Sequence, residues 1–277
     1  MNGEGERREA LVPAYLFDLD GTLYQGDAAI PGAPELIARL RRAGDPFRFV
    51  TNTTSKPRSA IVARLRGYGF VVEENEVFTA LLAGAQRARD SGMETLMPLV
   101  TPAACADLAG FQLMGGTMTG RPGGAQGQPD AVLVGDLGTL WSFDLVQQAF
   151  AALMNGARLI ALSRDRYWMS TTGLTIDCGA FVAALEYASG TASILAGKPS
   201  PAFYHAAVQS LALPETAEVV MIGDDLESDV GGAQAAGYQG FLVRTGKFRP
   251  EALAASRVKP DRILNSITDL LDSSSAR

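Results

Sequence analysis

The sequence holds few of the residues on which several common chemistries depend, with one histidine, two cysteines and two tryptophans among 277 residues. A single histidine excludes a histidine-rich metal site, and a Ser-His-Asp triad would have to use that residue, His205. His205 stands in SPAFYHAAVQSL, where Ser200 as N-cap and Pro201 as first residue predict a helix. We therefore expect an ordinary histidine on a helix surface.

The two cysteines, Cys105 and Cys178, have neither the spacing of a metal site nor a disulfide framework around them. We expect a reduced, cytoplasmic protein. No apolar run approaches the roughly 18 residues of a membrane helix, and the polar start MNGEGERREALVP lacks the apolar part of a secretory signal. The net charge is −6, without a stripe of Lys and Arg. Neither a membrane nor nucleic acid is therefore expected as a partner.

Segments with strand and helix patterns alternate along the chain, which predicts an α/β fold with parallel strands. The predicted strands are YLFDL, FRFVTN, AVLVGD, EVVMIG and GFLVRT. The predicted helices include APELIARLRRAG, KPRSAIVARLRGYG, VFTALLAGAQRARDSG, TPAACADLAG, ESDVGGAQAAG and NSITDLLDS, and a helix-strand pair follows in LVQQAFAALMNGARLIAL. The pattern of predicted segments changes in the middle of the chain, where a Gly/Pro-rich connection runs from Gly115 to Asp130. We expect a domain of about residues 81–184 inserted into another domain.

Two carboxylates stand at the tip of the first predicted strand, in AYLFDLDGTLYQGD. Asp18 and Asp20 are two residues apart, so both face the same side of an extended chain. They follow a strand whose carboxyl end is the place where α/β sheets bind ligands. Gly21 permits a sharp turn that brings backbone N–H groups near a ligand. A plain Asp-Gly turn is the alternative, but a turn does not require Asp18.

A second apolar strand ends in acids, in VMIGDDLESD, with Asp224, Asp225, Glu227 and Asp229. These acids can also serve merely as favourable charges at a helix N-terminus. If the acids of both strand ends converge, their repulsion raises their pKa values. A hard divalent cation would relieve that repulsion, and oxygen-only ligands suit Mg²⁺.

Polar residues at two further places are candidates for binding an anion. Thr51 and Asn52, in FVTNTTS, can donate hydrogen bonds to it, while Thr54 or Ser55 can cap a helix. Lys198, in AGKPSP, comes just before a helix N-terminus, where phosphate is favoured.

These four segments, in this order, resemble the motifs of the haloacid dehalogenase superfamily of phosphotransferases: DLDGT, TN, GKP and GDDLESD. The insertion between the second and third motifs resembles the C2-type cap of the NagD-like subgroup, class IIA. The stretches RDRYWMSTTGLTIDCGAFVAALEYASG and VMIGDDLESDVGGAQAAGYQGFLVRTGKFRP are most similar to one branch. It contains the phospholysine phosphohistidine inorganic pyrophosphate phosphatases and their HAD-domain relatives, which can carry Ser at the position of Asp20. The resemblance implies a doubly wound, Rossmannoid core of residues 1–80 and 185–277 and an α/β cap of residues 81–184.

The resemblance also implies a Mg²⁺-dependent phosphatase that acts on a small phosphorylated metabolite. Asp18 would attack phosphorus and form an aspartyl-phosphate, and Asp20 would act as general acid and then as general base. Thr51 and Lys198 would hold the phosphoryl oxygens. The other implied phosphate-binding residues are Gly21, Thr22 and Asn52. The implied metal ligands are Asp18, the backbone carbonyl of Asp20, and Asp224, with Asp229 and Asp225 acting through waters or hydrogen bonds.

The cap would choose the leaving group, and Arg164 and Tyr167, in a loop from Arg164 to Trp168, are candidate substrate contacts. Packing and surface charge explain this loop equally well. Lys247 and Arg249 are expected in a solvated loop. Two alternatives stay open: the bond cleaved is that of a phosphoamide or of inorganic pyrophosphate, or the protein is a non-catalytic, phospho-ligand-binding regulator. A homodimer also stays open.

Overall fold

The computed structural model describes residues 13–118, 127–170, 173–214 and 217–273. Residues 119–126 of the predicted Gly/Pro-rich connection, and nearly all of the N-terminal segment considered above, lie outside this range. In the part of the chain that is described, no helix combines the length and the apolar character needed to cross a membrane.

The strands and helices of the described residues follow in chain order. The strands are β1 (Ala14–Asp18), β2 (Tyr24–Gln25), β3 (Ala28–Ala29), β4 (Phe47–Thr51), β5 (Val77–Thr79), β6 (Thr95–Leu99), β7 (Gln112–Leu113), β8 (Ala131–Val134), β9 (Arg158–Ala161), β10 (Tyr167–Ser170), β11 (Gly173–Ile176), β12 (Ile194–Leu195), β13 (Val219–Gly223), β14 (Gln239–Val243) and β15 (Arg262–Leu264). The helices are α1 (Ala33–Ala43), α2 (Arg58–Gly67), α3 (Ala80–Asp90), α4 (Phe143–Met154), α5 (Cys178–Ser189), α6 (Pro201–Gln209), α7 (Gly232–Ala235), α8 (Pro250–Ala255) and α9 (Asp269–Ser273).

The chain divides into two compact units, and each combines segments that are distant in sequence. Unit 1 consists of Met1–Phe49, Tyr68–Val71 and Val208–Arg277, and unit 2 of Val50–Gly67 and Val72–Ala207. The chain first passes from unit 1 to unit 2 within β4. The boundaries predicted from the sequence, at residues 81 and 184, differ from these limits and stay a prediction.

Unit 1 contains a parallel sheet in which β15, β14, β13 and β1 are neighbours in that order. Every residue of β13 is buried, and so are four of the five residues of β1. Strands buried on both faces are typical of parallel sheets, because helices cover each side. The strands predicted at YLFDL, EVVMIG and GFLVRT are thereby confirmed. Helix α1 is also confirmed, and it ends at Gly44 in the left-handed conformation, as the sequence predicts.

Unit 2 contains a second parallel sheet, in the order β12-β9-β8-β6-β7, and an antiparallel hairpin of β10 and β11. Neighbouring residues of its strands face opposite sides. Leu96 and Leu133 pack with helix α3, whereas Met97 and Val132 pack with helices α4 and α5. Unit 2 is therefore a sheet with helices on both faces, and the predicted α/β class with parallel sheets is confirmed.

Four segments differ from their predictions. The predicted helix VFTALLAGAQRARDSG begins as β5, and α3 starts only after Thr79, whose hydroxyl accepts the N–H of Leu82. Strand β6 is absent from the predicted strands, and it contains Pro98, a residue that is unusual inside a sheet. TPAACADLAG forms only a short 3₁₀ helix, Ala104–Leu108. The helix predicted in ESDVGGAQAAG is a π-helical turn, Leu226–Gly231, followed by the four residues of α7.

Candidate active site

Three carboxylates of unit 1 converge where β1 and β13 end. The strands run parallel, with Phe17 opposite Ile222, so Asp18 at the end of β1 lies beside the start of the loop that carries Asp224. Asp229 joins them from the π-helical turn. One ligand oxygen from each of Asp18, Asp224 and Asp229 lies within 4.8 Å of the other two. Of the acids that the sequence places at these two strand ends, Asp18, Asp224 and Asp229 form this cluster, and Asp20, Asp225 and Glu227 are not part of it.

All three carboxylates are buried, with exposures of 8%, 3% and 1% for Asp18, Asp224 and Asp229. Burial, and then the charges of Asp18 and Asp229, raise the pKa of Asp224 well above its usual value, although Lys247 acts in the opposite direction. Buried charges of one sign require a compensating partner. An all-oxygen set of this kind fits a hard divalent cation such as Mg²⁺.

The turn after β1 brings the backbone against Asp224. Gly21 has a φ of 86°, and a Cβ at this position would lie 2.0 Å from Oδ2 of Asp224. A glycine is therefore required by backbone conformation and by space. Asp20, before it, has an exposed side chain. Thr22, after it, is completely buried, and its hydroxyl has no hydrogen-bond partner in the part of the chain described here.

Both carboxylate oxygens of Asp225 already have partners, so this residue is not placed as a metal ligand. Its Oδ1 accepts the N–H groups of Glu227 and Ser228, which caps the π-helical turn, and its Oδ2 lies 3.1 Å from Nζ of Lys247. Burial opposes ionisation, but the Lys247 charge and the hydrogen bonds from Ser228 and Lys247 hold the pKa of Asp225 below its usual value. The Asp225 N–H donates to Oδ2 of Asp229 at 3.1 Å, which fixes that carboxylate.

Unit 2 holds the candidate phosphate-binding residues in a second cluster. Nδ2 of Asn52 donates to the Lys198 carbonyl at 3.0 Å, and the Lys198 N–H donates to Oδ1 of Asn52 at 2.8 Å. The amide of Asn52 thus brackets the backbone of Lys198. The Thr51 hydroxyl lies 3.0 Å from that of Thr53. Thr51 and Lys198 are both buried, and Asn52, the neighbour of Thr51 in sequence, contacts Lys198.

The candidate cap residues have partners on the surface. A guanidinium nitrogen of Arg164 lies 2.5 Å from a carboxylate oxygen of Glu186. Tyr167 is 54% exposed, and the guanidinium of Arg166 lies 5.6 Å from its ring centroid. The loop expected from Arg164 to Trp168 is in part a strand, because Tyr167 and Trp168 belong to β10. Their role as substrate contacts stays a prediction.

A third segment contacts the unit 1 cluster, and its residue types in the sequence do not indicate this contact. It follows β14 and comprises Thr245, Gly246 and Lys247, which we call the TGK loop. The Thr245 hydroxyl donates to the Gly21 carbonyl, and the Lys247 N–H donates to Oδ2 of Asp224 at 2.6 Å. The Lys247 side chain is 69% exposed, as expected for a solvated loop, but its backbone is part of the site. The available signal was position, since the TGK loop follows a strand of the same sheet.

Helix α6 carries the single histidine, and His205 is exposed on it, which confirms the expectation of a helix-surface residue. Histidine therefore contributes nothing to the acidic cluster.

Two family models match the chain in separate parts. One is described as haloacid dehalogenase-like hydrolase and matches residues 15–113, and the other, described as HAD-hydrolase-like, matches residues 195–270. The human haloacid dehalogenase-like hydrolase domain-containing protein 2 is 40% identical over 238 residues, 86% of each chain. The human phospholysine phosphohistidine inorganic pyrophosphate phosphatase is 34% identical over 272 residues, 96% of this chain and 95% of that protein.

Solved structures of phosphatases share the fold. A 4-nitrophenylphosphatase from Thermotoga maritima superposes with a TM-score of 0.82 at 27% identity, over 94% of this chain and 97% of its own. A glycerol phosphate phosphatase from Mycobacterium tuberculosis, in complex with magnesium, superposes with a TM-score of 0.81 at 27% identity. That match covers 93% of this chain and 76% of the other.

Proposed function

This chain belongs to the haloacid dehalogenase-like hydrolase family and is a phosphatase, and from that premise we propose a Mg²⁺-dependent reaction through an aspartyl-phosphate on Asp18. The observation that carries the proposal is the buried convergence of Asp18, Asp224 and Asp229. Mutual repulsion makes this arrangement costly unless a cation binds there. The proposed substrate is a small phosphorylated metabolite.

Two aspartates supply the bond changes in the proposed reaction. An oxygen of Asp18 attacks phosphorus, and the leaving oxygen departs with a proton from Asp20. Asp20 then takes a proton from water, whose oxygen attacks the same phosphorus, and phosphate leaves with Asp18 restored. The exposure of the Asp20 side chain suits a group that exchanges protons with a leaving group and then with water.

Residues of unit 2 are proposed to bind the phosphoryl group. The Lys198 ammonium and the Thr51 hydroxyl would hold its oxygens while their charge is redistributed. Asn52 supports this role through its two hydrogen bonds to the Lys198 backbone. Gly21 and Thr22 are further proposed phosphate-binding residues, although their N–H groups donate within the turn, to the carbonyls of Tyr24 and Leu19.

The proposed ligands of Mg²⁺ are Asp18, Asp224 and the backbone carbonyl of Asp20, with Asp229 at the same cluster. When bound, Mg²⁺ supplies positive charge that reduces the repulsion between the nucleophile and the phosphoryl oxygens. Asp225 serves this group through its N–H to Asp229. The magnesium complex of the glycerol phosphate phosphatase, a structural neighbour, supports the choice of cation.

A second candidate substrate class is a phosphoamide or inorganic pyrophosphate. It is favoured by the 34% identity, over 96% of this chain, to a phosphatase named for phospholysine, phosphohistidine and pyrophosphate. The non-catalytic alternative is not retained, because the chain is a phosphatase. Turnover of pyrophosphate above that of sugar phosphates would select the second class.

The test is hydrolysis of 4-nitrophenyl phosphate with Mg²⁺ and with a chelator. Asp18→Asn should lower kcat by at least about 1,000-fold, because it removes the nucleophile. Asp27→Asn, at an exposed aspartate of the following turn, is the matched control and should behave as wild type. Wild-type activity in Asp18→Asn would refute the assignment. Sugar phosphates, nucleotides, phosphoamides and pyrophosphate, followed by phosphate release, then define the substrate.

Two further proposals concern the cellular compartment and the oligomeric state. Cys105 and Cys178 do not form a disulfide in the described part of the chain, which suits a reducing compartment such as the cytoplasm. A homodimer is proposed for solution, and light scattering at several protein concentrations tests it.

A further inference from the structure

Oδ2 of Asp224 occupies a slot formed by two glycines. A Cβ built on Gly21 or on Gly246 would lie 2.0 Å from this oxygen. The same Cβ on Gly246 would lie 2.6 Å from Cα of Gly21. The TGK loop and the turn after β1 are therefore in direct contact on either side of one carboxylate oxygen. No side chain fits at either position without moving Asp224.

Hydrogen bonds hold the TGK loop in this place. The Thr245 hydroxyl donates to the Gly21 carbonyl, three residues after the proposed nucleophile. The Lys247 N–H donates to Oδ2 of Asp224 at 2.6 Å, a short distance typical of a hydrogen bond to a charged acceptor. Asp224 is thereby fixed through backbone, and the ammonium group of Lys247 extends instead to Asp225.

We propose that Thr245, Gly246 and Lys247 are positioning residues for the cation, because they fix the orientation of Asp224 against the turn that follows Asp18. This inference rests on the metal site of the proposed function and deepens it. Groups that orient a ligand commonly matter for metal affinity, because a misdirected carboxylate loses its place in the coordination shell. The TGK loop itself contributes no ligand.

Thr245→Val and Gly246→Ala each disturb the contact of the TGK loop with the turn at Gly21 or with Asp224. Two control variants show whether their effects come from the position of Asp224 or from folding in general. Valine keeps the shape of Thr245 but removes the donor to Gly21, and Thr245→Ser restores it. Gly246→Ala places a methyl group against Asp224, at a φ of 57°. Gly237→Ala is the matched control, because Gly237 has a φ of 86° and a Cβ added there would meet no other group within 4 Å. It shares the backbone cost of alanine without touching the site.

The experiment measures binding of Mn²⁺, a cation of similar ligand preference, by the electron paramagnetic resonance signal of the free ion. Thermal unfolding of each metal-free protein is measured in parallel. Gly246→Ala should weaken Mn²⁺ binding by about 10- to 100-fold and Thr245→Val by about tenfold, as expected for groups that orient a ligand. Thr245→Ser and Gly237→Ala should bind Mn²⁺ like the wild type.

Each result is decisive. If the folded Thr245→Val protein binds Mn²⁺ as tightly as the wild type, the positioning role is refuted while the metal site stands. The same conclusion follows if Thr245→Ser is as weak as Thr245→Val. If the wild type binds no Mn²⁺, the metal site of the proposed function fails, and the role of the TGK loop fails with it. If Gly246→Ala does not fold, the Thr245 pair decides alone.

Discussion

At the scale of single residues, Asp224 and Asp225 are neighbours with opposite electrostatic situations. Burial and then the neighbouring carboxylates raise the pKa of Asp224, whereas Lys247 and capping N–H groups lower the pKa of Asp225. The folded state without metal is therefore destabilised by ionisation of Asp224 and stabilised by ionisation of Asp225. Substituting each of these two aspartates therefore compares the two effects of ionisation on stability within one protein.

Asp224→Asn should stabilise the metal-free protein at alkaline pH. A raised pKa means that the folded state binds more protons than the unfolded state, so stability falls as pH rises from the usual aspartate range to the raised pKa of Asp224. Above that window the variant should gain about 1 to 2 kcal/mol in free energy of unfolding. Thermal unfolding in chelator, from about pH 5 to pH 9, checks this. A less stable variant throughout would contradict the predicted repulsion.

Asp225→Asn should have the opposite sign in the same experiment. A lowered pKa contributes stability above the usual aspartate pKa, and that contribution is lost as pH falls through the lowered value. Asparagine can still cap the π-helical turn, so the loss near neutral pH is only that of a partly exposed ion pair, about 0.5 kcal/mol. Equal shifts for both variants would show that burial alone governs them.

At the scale of elements, Asn52 ties the end of β4 to the segment before α6 through two hydrogen bonds to Lys198. Asn52→Ala leaves both backbone groups of Lys198 without this partner and should lower the free energy of unfolding by about 1 to 3 kcal/mol. Turnover should fall as well, because Lys198 loses its fixed place. Denaturant unfolding and steady-state kinetics measure both effects. Asn155→Ala, at an exposed helix end, is the control.

The elements also show what the sequence could and could not predict. Strands β1 and β13 are continuous apolar runs, and α1 carries its own end signal at Gly44, so local pattern was sufficient. Strand β6 is stabilised by neighbours on both sides, which overrides the local effect of Pro98. Pairing with distant strands cannot be predicted from the local sequence of one segment.

The candidate site also contains residues that the sequence predicts and contacts that it does not. Asp18 and Asp224 were identifiable because acids at strand ends are costly in a core, and the topology of parallel strands brings such ends together. The contacts of the TGK loop were not identifiable, because they are made by backbone groups and by a hydroxyl. Residue types do not reveal which N–H faces a carboxylate.

At the scale of the whole molecule, Mg²⁺ should act as a stabilising ligand. A cation that binds only the folded state raises the free energy of unfolding, by about 2.7 kcal/mol at 100 times its dissociation constant. The midpoint of thermal unfolding should therefore rise with Mg²⁺ concentration in the wild type. In Asp224→Asn the rise should be absent or much smaller. Stabilisation of equal size in both proteins would place the cation elsewhere.

The acidic cluster joins the two ends of a long chain, since Asp224 follows Asp18 by 206 positions. Strand β1 emerges from the ribosome before all segments of unit 2, and its partner β13 is made only after them. A growing chain thus carries Asp18, the proposed nucleophile, before the acids that complete the cluster are made. The proposed cation site cannot form until synthesis has passed Asp229, so a chain that ends before this residue should bind no cation at this cluster.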